Sequence, residues 1–239
     1  MIYDWPVMEP ATYVANAVAM WSHLAPVATR TPHHLRADLS TSTRFVLTEP
    51  GAGAVDELLA AAPATSKVTV EDSWGGGADG PAHTTTLRMP LMVRPPGPTA
   101  TLERPGTRVV RVGDPDELAT AERVMVDGFP LRAFQPLTTG AALPRRLLDT
   151  PGFDVWLGYR DDRPAVAGYT FDDGHAVGVY WLATLPDHRS TGMGRAVLAT
   201  ALAGRPGRPW TLVATDAGRP LYESLGFETV STAVWHTRG

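Results

Sequence analysis

The 239-residue chain contains no cysteine. That excludes disulfides, thiolate-ligated metals and a cysteine nucleophile outright. No apolar run is long enough to span a bilayer as a helix. The first ten residues, MIYDWPVMEP, have neither the basic n-region nor the apolar h-region of a secretory signal, so a soluble cytoplasmic protein is expected. Charge of one sign is not concentrated anywhere. The net charge is −4, without a block of like charges, and this argues against a nucleic-acid or membrane-surface protein. His33 and His34 sit in a loop-like stretch without metal-ligand spacing around them, so no metal is expected.

What the chain does have is enough apolar material for a core. At 44% hydrophobic and 19% charged residues it lacks the profile of a disordered protein. Its 22 prolines and 23 glycines imply short, sharply punctuated elements. The stretch VRPPGPTATLERPGTR (Val93 to Arg108) lacks periodicity and is rich in both, which places a domain border near residue 105. Before it, PATYVANAVAMWSHLA reads as a helix, TRFVLT as a strand, AVDELLAAA as a helix, and KVTVEDSW and HTTTLRMPLMV as strands. Residues 1–105 are thus a mixed α/β segment.

Residues 106–239 carry sharper signals. TRVVRV is a strand. DPDELATAERVMVDG is a helix, with Asp114 as N-cap, Pro115 in the first turn, Glu117 at capping-box spacing and Gly128 placed to close it. FDVWLGYR, PAVAGYTF and HAVGVYWLAT follow as strands joined by the turns DDR and DDG, which is an antiparallel meander. RSTGMG then opens a helix whose apolar face includes Val197, Leu198, Ala201 and Leu202, with Gly204 at its C′ position. RPWTLVAT is a strand, GRPLYESLG a short helix ended by Gly226, and FETV and TAVWH are two closing strands. The fold class is α/β, in the α+β sense of a mixed sheet.

Three glycine turns compete as a binding site. WGGGADGP opens no helix and reads as a flexible loop. EPGAGAVDELL joins a strand to a helix, but Asp56 and Glu57 occupy that helix's first turn, where they complement its dipole and repel a phosphate. RSTGMG follows a strand and opens a helix whose first turn holds Arg195 and no acid. Gly192 and Gly194 leave room for an anion to reach the amides, and Arg189 adds a donor. On spacing alone this remains a choice between a phosphate turn and a plain loop. A dinucleotide fingerprint is disfavoured, because the preceding strands form a meander and not a parallel βαβ unit.

LATLPDHRSTGMGRAVLATAL resembles the central motif of the GCN5-related N-acetyltransferases, in which a strand leads through Arg/Gln-x-x-Gly-x-Gly/Ala into a helix. TDAGRPLYESLGFE resembles that family's next motif, and the two occur in the expected order with a strand between them. The resemblance covers about residues 106–239 and implies a GNAT fold there, with acetyl-CoA as acyl donor and an amine-bearing small molecule or peptide as acceptor. It puts the pantetheine arm along the backbone of Leu182, Ala183 and Thr184. It puts the pyrophosphate on amides of Arg189, Ser190, Thr191, Gly192, Met193, Gly194 and Arg195, and Tyr222 near the thioester sulfur as general acid. The downstream motif often begins with Asn, where this chain has Thr215, so that contact to the cofactor differs. Where some members carry a glutamate base, this chain has Gly178.

The implied reaction is direct attack of a neutral amine on the thioester in a ternary complex. Amides near Leu182–Thr184 would hold the oxyanion, and Tyr222 would meet the leaving thiolate. Taken alone, Tyr222 is equally a packing residue. Tyr180, on the central strand, is the base candidate that remains. His175, Asp172 and Asp173 read as turn chemistry, and His188 lies too far along to serve. A non-catalytic acyl-CoA-binding or sensing module is the alternative, and Gly178 supports it. A purely structural partner protein would bind no CoA. The helix and strand order of residues 1–105 is compatible with a decayed copy of the same fold that shapes the acceptor site, and a homodimer is allowed.

Overall fold

The computed structural model describes residues 9–51, 54–62, 67–75, 80–81, 83–101, 105–129 and 131–239. In chain order the elements are α1 (Pro10–Leu24), β1 (Val27–Arg30), β2 (His34–Asp38), β3 (Ser42–Leu47), α2 (Ala54–Ala61), β4 (Lys67–Asp72), β5 (Thr85–Arg94), β6 (Thr107–Arg111), α3 (Pro115–Gly128), β7 (Phe153–Arg160), β8 (Arg163–Asp172), β9 (Val177–Thr184), α4 (Met193–Ala203), β10 (Trp210–Val213), α5 (Arg219–Glu223) and β11 (Glu228–Arg238). Single 3-10 turns occur at Arg132–Phe134, Arg145–Asp149 and Pro186–His188. They assemble into two compact units. One holds the described residues up to Pro95 together with Thr211–Gly239, the other Pro96–Trp210.

In the first unit α1 starts on Pro10, whose missing N–H costs nothing in the first turn, and buries Tyr13, Val14, Ala17, Val18, Met20, Trp21 and Leu24. β1, β2 and β3 form an antiparallel meander, and α2 carries the chain to β4, which is parallel to β3. Phe45, Leu47, Val55, Leu58, Leu59, Ala62, Val68 and Val70 pack beneath that crossover. β1 and β2 escape sequence reading: all of β1 is exposed, and β2 is a five-residue strand whose alternation rests on Leu35 and Ala37 alone. His34 therefore opens a strand and does not lie in a loop. The sheet of this unit runs β1-β2-β3-β4-β11-β5-β10. β11 pairs with β4 and β5 on its two sides, so the last residues of the chain complete the sheet begun by the first. The two closing strands expected from FETV and TAVWH are one strand, whose register shifts between Thr229 and Ser231.

This unit also encloses an ionic group. Glu71 is fully buried, receives the Tyr13 hydroxyl at 2.6 Å and pairs with Arg44 at 2.7 Å. The Arg44 guanidinium lies 4.8 Å from the Trp21 ring and 4.5 Å from the Trp235 ring. Such a charge persists in a core only because both carboxylate oxygens are met. Asp56 and Glu57 occupy the first turn of α2 as expected. Residues 52–53 of the preceding glycine turn, and residues 76–79 of the WGGGADGP stretch, lie outside the described residues.

In the second unit β6, β7, β8 and β9 are antiparallel neighbours in that order. The β7–β8 turn places Asp161 and Asp162 at φ 48° and 60°, and the β8–β9 turn places Gly174 at 91°, the left-handed geometry that tight hairpins require. α3 begins as read. Asp114 accepts from the amides of Asp116 and Glu117 at 2.9 Å each, and Glu117 accepts from Gly113 at 3.2 Å. It ends differently: Gly128 is the last helical residue and Phe129 the C-cap. Gly204 closes α4 in the right-handed region (φ −69°), not as a left-handed C′ glycine. Among the described residues no helix is long and apolar enough to cross a membrane.

Candidate active site

The end of β9 is irregular. Up to Tyr180, which faces Tyr169, the ladder with β8 is regular, and it resumes at Ala183 opposite Ala167 and Thr184 opposite Val166. Between these pairs Trp181 and Leu182 stand against the single Gly168, which is a β-bulge. Gly168 is what lets the strands close: a Cβ there would lie 2.8 Å from the Leu182 Cα. Trp181 takes φ 49°, a left-handed backbone that costs a bulky side chain on the order of 1–3 kcal/mol. The bulge takes Trp181 and Leu182 off the regular ladder just before Ala183 and Thr184, in the stretch on which the resemblance places the pantetheine arm.

The chain then leaves the sheet. Leu185 donates its N–H to Ala165 at 2.9 Å, and Pro186–His188 make one 3-10 turn. Ser190 (φ 59°) and Gly192 (φ 83°) are left-handed, and Thr191 donates its hydroxyl to the His188 carbonyl at 2.6 Å. Gly192 is the N-cap of α4, and the first intrahelical bond runs from Ala196 to Gly192 at 3.0 Å. The amides of Met193 and Gly194 precede it, so the helix supplies them with no carbonyl. With no acid in the first turn, the helix presents N–H groups and the positive end of its dipole to the loop.

Arg189 is engaged within the protein. Its N–H is taken by Pro186 at 3.2 Å. Its guanidinium donates to the Thr184 carbonyl at 3.2 Å and to the Gly128 carbonyl at 3.0 Å. It therefore fastens the turn to the ends of β9 and α3. Tyr180 is buried, its ring stacked on Tyr169 with centroids 5.4 Å apart. Gly178 faces Phe171. Asp173 accepts from the amides of His175 and Ala176 at 2.8 Å each, and Asp172 accepts from Gly174 at 2.9 Å, so these acids build the hairpin turn as expected.

The second motif belongs to the other unit. The Thr215 hydroxyl accepts from Gly218 at 3.2 Å, and its carbonyl accepts from Gly218 and Arg219 at 2.9 Å, so Thr215 shapes the entry to α5. Tyr222 is buried on α5, with its ring edge-on to Phe227 at 5.9 Å. Burial pushes its phenol up to about 12. Gly226 is left-handed (φ 84°), and Arg94 on β5 donates to the Leu225 carbonyl at 2.8 Å, which fixes the turn behind the tyrosine.

Two groups escaped sequence reading. Glu122 is buried on α3 and accepts from the amides of Gly140, Ala142 and Leu143 at 2.7, 2.7 and 2.9 Å. Its signal was an acid beside Leu118, Ala121 and Met125 on the buried face of a helix. Phe134 and Trp181 meet edge-on, with centroids 6.1 Å apart. Nothing in spacing tells that a loop aromatic and a strand aromatic converge.

Residues 151–229 match the family model described as an acetyltransferase (GNAT) domain. No curated protein shows significant similarity to the sequence. Among solved structures the chain is similar to a GCN5-related N-acetyltransferase from Kribbella flavida, with 20% identity, 97% of this chain and 96% of that one covered, and a TM-score of 0.67. It is similar also to a putative GNAT-family acetyltransferase from Novosphingobium aromaticivorans, with 19% identity, 98% of each chain covered and a TM-score of 0.63. At such identities the likeness concerns the fold, and it extends over nearly the whole chain and not only over the half that bears the motifs. The bulged strand, the left-handed glycine turn and the helix it opens all lie inside the segment that matches the acetyltransferase (GNAT) domain, and the solved GNAT structures share the fold over nearly the whole chain.

Proposed function

We propose that the protein transfers an acetyl group from acetyl-CoA to a primary amine by direct attack in a ternary complex. The observation that carries this reading is the sequence of bulge, left-handed Gly192 and acid-free helix start within one segment. The backbone of Leu182, Ala183 and Thr184 would take the amide-rich pantetheine arm as a short pseudo-strand. The amides of Ser190 through Arg195 would cradle the pyrophosphate. The amine nitrogen bonds to the thioester carbon, an amide of the Leu182–Thr184 stretch holds the oxyanion, the C–S bond breaks, and the amine proton passes to water. Tyr222 donates a hydrogen bond to the departing sulfur, and residues 1–105 contribute to the choice of acceptor. The setting we assign is the cytoplasm.

A non-catalytic acyl-CoA sensor is the second reading, favoured by one observation: Gly178 stands where a base would. Calorimetry with CoA and a thiol-release assay over an amine panel separate the two. Gly192→Asp tests the shared premise, since it puts a Cβ at φ 83° and a negative charge at the anion turn. CoA affinity should fall more than tenfold. Unchanged affinity refutes the phosphate assignment, and CoA binding without thiol release from any amine leaves the sensor.

A further inference from the structure

The acyl group to be attacked lies, on the proposed reading, beside Leu182. The acceptor nitrogen must come within about 3–3.5 Å of its carbonyl carbon. Whatever surrounds that carbon therefore meets the acceptor, and the residue immediately before Leu182 is Trp181. A tryptophan in a left-handed strand position is an outlier, and such outliers gather where a site needs a side chain aimed off the regular ladder. Its ring is edge-on to Tyr169 at 5.8 Å and to Phe134 at 6.1 Å, and Tyr169 is in turn stacked on Tyr180. The four rings are graded in depth. Tyr169 and Tyr180 are buried at 1% and 8% exposure, while Trp181 and Phe134 are only partly buried. Two rings back the wall and two present it.

The segment carrying Phe134 is held in place. It leaves α3 at Gly128, whose carbonyl is fastened by Arg189, and twelve residues later Glu122 gathers the amides of Gly140, Ala142 and Leu143. A preformed apolar wall with little freedom to move selects for shape.

We infer that the acceptor amine is carried on a flat apolar body, an aryl or arylalkyl group, seated against Trp181 and Phe134. This rests on the acetyl-transfer reading above. Phenethylamine, n-octylamine and spermidine are the probes, at saturating acetyl-CoA. The arylalkylamine should be turned over with a kcat/KM about tenfold or more above the alkylamine, through a lower KM, and spermidine should be the poorest. Phe134→Leu keeps an apolar side chain of similar size, lies off the bulge and removes one ring. It should bring the aryl-to-alkyl ratio close to one while CoA affinity stays unchanged. A preference for spermidine or octylamine in the native protein, or an aryl preference untouched by Phe134→Leu, overturns the inference. Calorimetric binding of phenethylamine to the CoA-loaded protein gives a readout independent of turnover. If no amine releases thiol but phenethylamine still binds and Phe134→Leu weakens it, acetyl transfer is wrong and the aryl site stands. If neither binding nor an aryl preference is found, the aryl site is wrong whatever the protein acetylates.

Discussion

Replacing Tyr222 by Phe removes one hydroxyl and nothing else. The ring is buried and packs edge-on against Phe227, contacts that Phe retains, so stability at neutral pH should change by less than about 1 kcal/mol. The catalytic effect follows from the phenol's environment. Burial holds it at about 12, whereas an alkyl thiol titrates near 8.5, so complete proton transfer to the leaving thiolate is uphill by roughly 3.5 pK units, or about 5 kcal/mol. Tyr222 is therefore better suited to donate a hydrogen bond to the developing thiolate than to surrender its proton. A hydrogen bond to a charged group contributes about 1.5–3 kcal/mol, which is roughly a 10- to 150-fold change in rate. Because the charge develops only as the C–S bond breaks, the loss should appear in the single-turnover rate, with the Kd for CoA nearly unchanged. Rapid-mixing measurement of thiol release, with calorimetry on the same variant, is the assay. The native rate should also show no ionisation from this phenol between pH 6 and pH 9. A variant that releases thiol at the native single-turnover rate would refute the role, and so would a rate loss matched by an equal loss of CoA affinity.

The same shift has a consequence for stability. The folded phenol titrates near 12 and an unfolded one near its ordinary 10, so the contribution is fully present below pH 10 and is lost as pH rises toward 12, by up to about 3 kcal/mol. Urea midpoints at pH 9 and 11.5 should differ more in the native protein than in Tyr222→Phe. Gly168→Ala drives a methyl to 2.8 Å from the Leu182 Cα, against backbone that cannot swing away. It should destabilise the protein by about 1–3 kcal/mol and weaken CoA binding, as urea titration and calorimetry will tell, and a neutral outcome removes the bulge from the site. A chain beginning at residue 106 lacks β4 and β5, both neighbours of β11, and should be recovered insoluble or unfolded by circular dichroism. A soluble, native-like fragment would show that β11 holds without them.

Much of this fold could be read from residue order, because many of its devices are local. Asp114, Pro115 and Glu117 announce α3 within four residues, and Asp161 and Asp162 announce a left-handed hairpin turn within two. The glycine turn and its helix were legible for the same reason. What was not legible depends on partners distant in sequence. β1, exposed along its whole length, is held by pairing with β2 and not by pattern. β11 reads as two strands because its register shift at Thr229 and Ser231 interrupts the alternation, and only β4 and β5 make it one. The internal bonds of Arg189 were not legible from its neighbours in sequence. The carbonyls it serves belong to Thr184 and to Gly128, and the second of these lies 61 residues earlier.

The two meanders of the chain make the functional distinction sharper. α1, β1, β2, β3, α2 and β4 follow the same order of helix, three strands, helix and strand as α3, β7, β8, β9, α4 and β10. The order alone confers no site. β2 and β3 pair in unbroken register from His34–Leu47 to Asp38–Thr43, so no bulge turns backbone away from that ladder. α2 starts with Asp56 and Glu57, which complement its own dipole and would repel a pyrophosphate. β8 and β9, by contrast, break register at Gly168, and α4 opens on left-handed Gly192 with no acid in its first turn. One glycine that admits a bulge and one that admits a left-handed turn set the β9–α4 junction, to which the proposed function assigns an acyl-CoA, apart from β2 and β3 and the acidic start of α2. A search for such sites in other chains should therefore weigh the register break and the charge of the helix start above the order of elements.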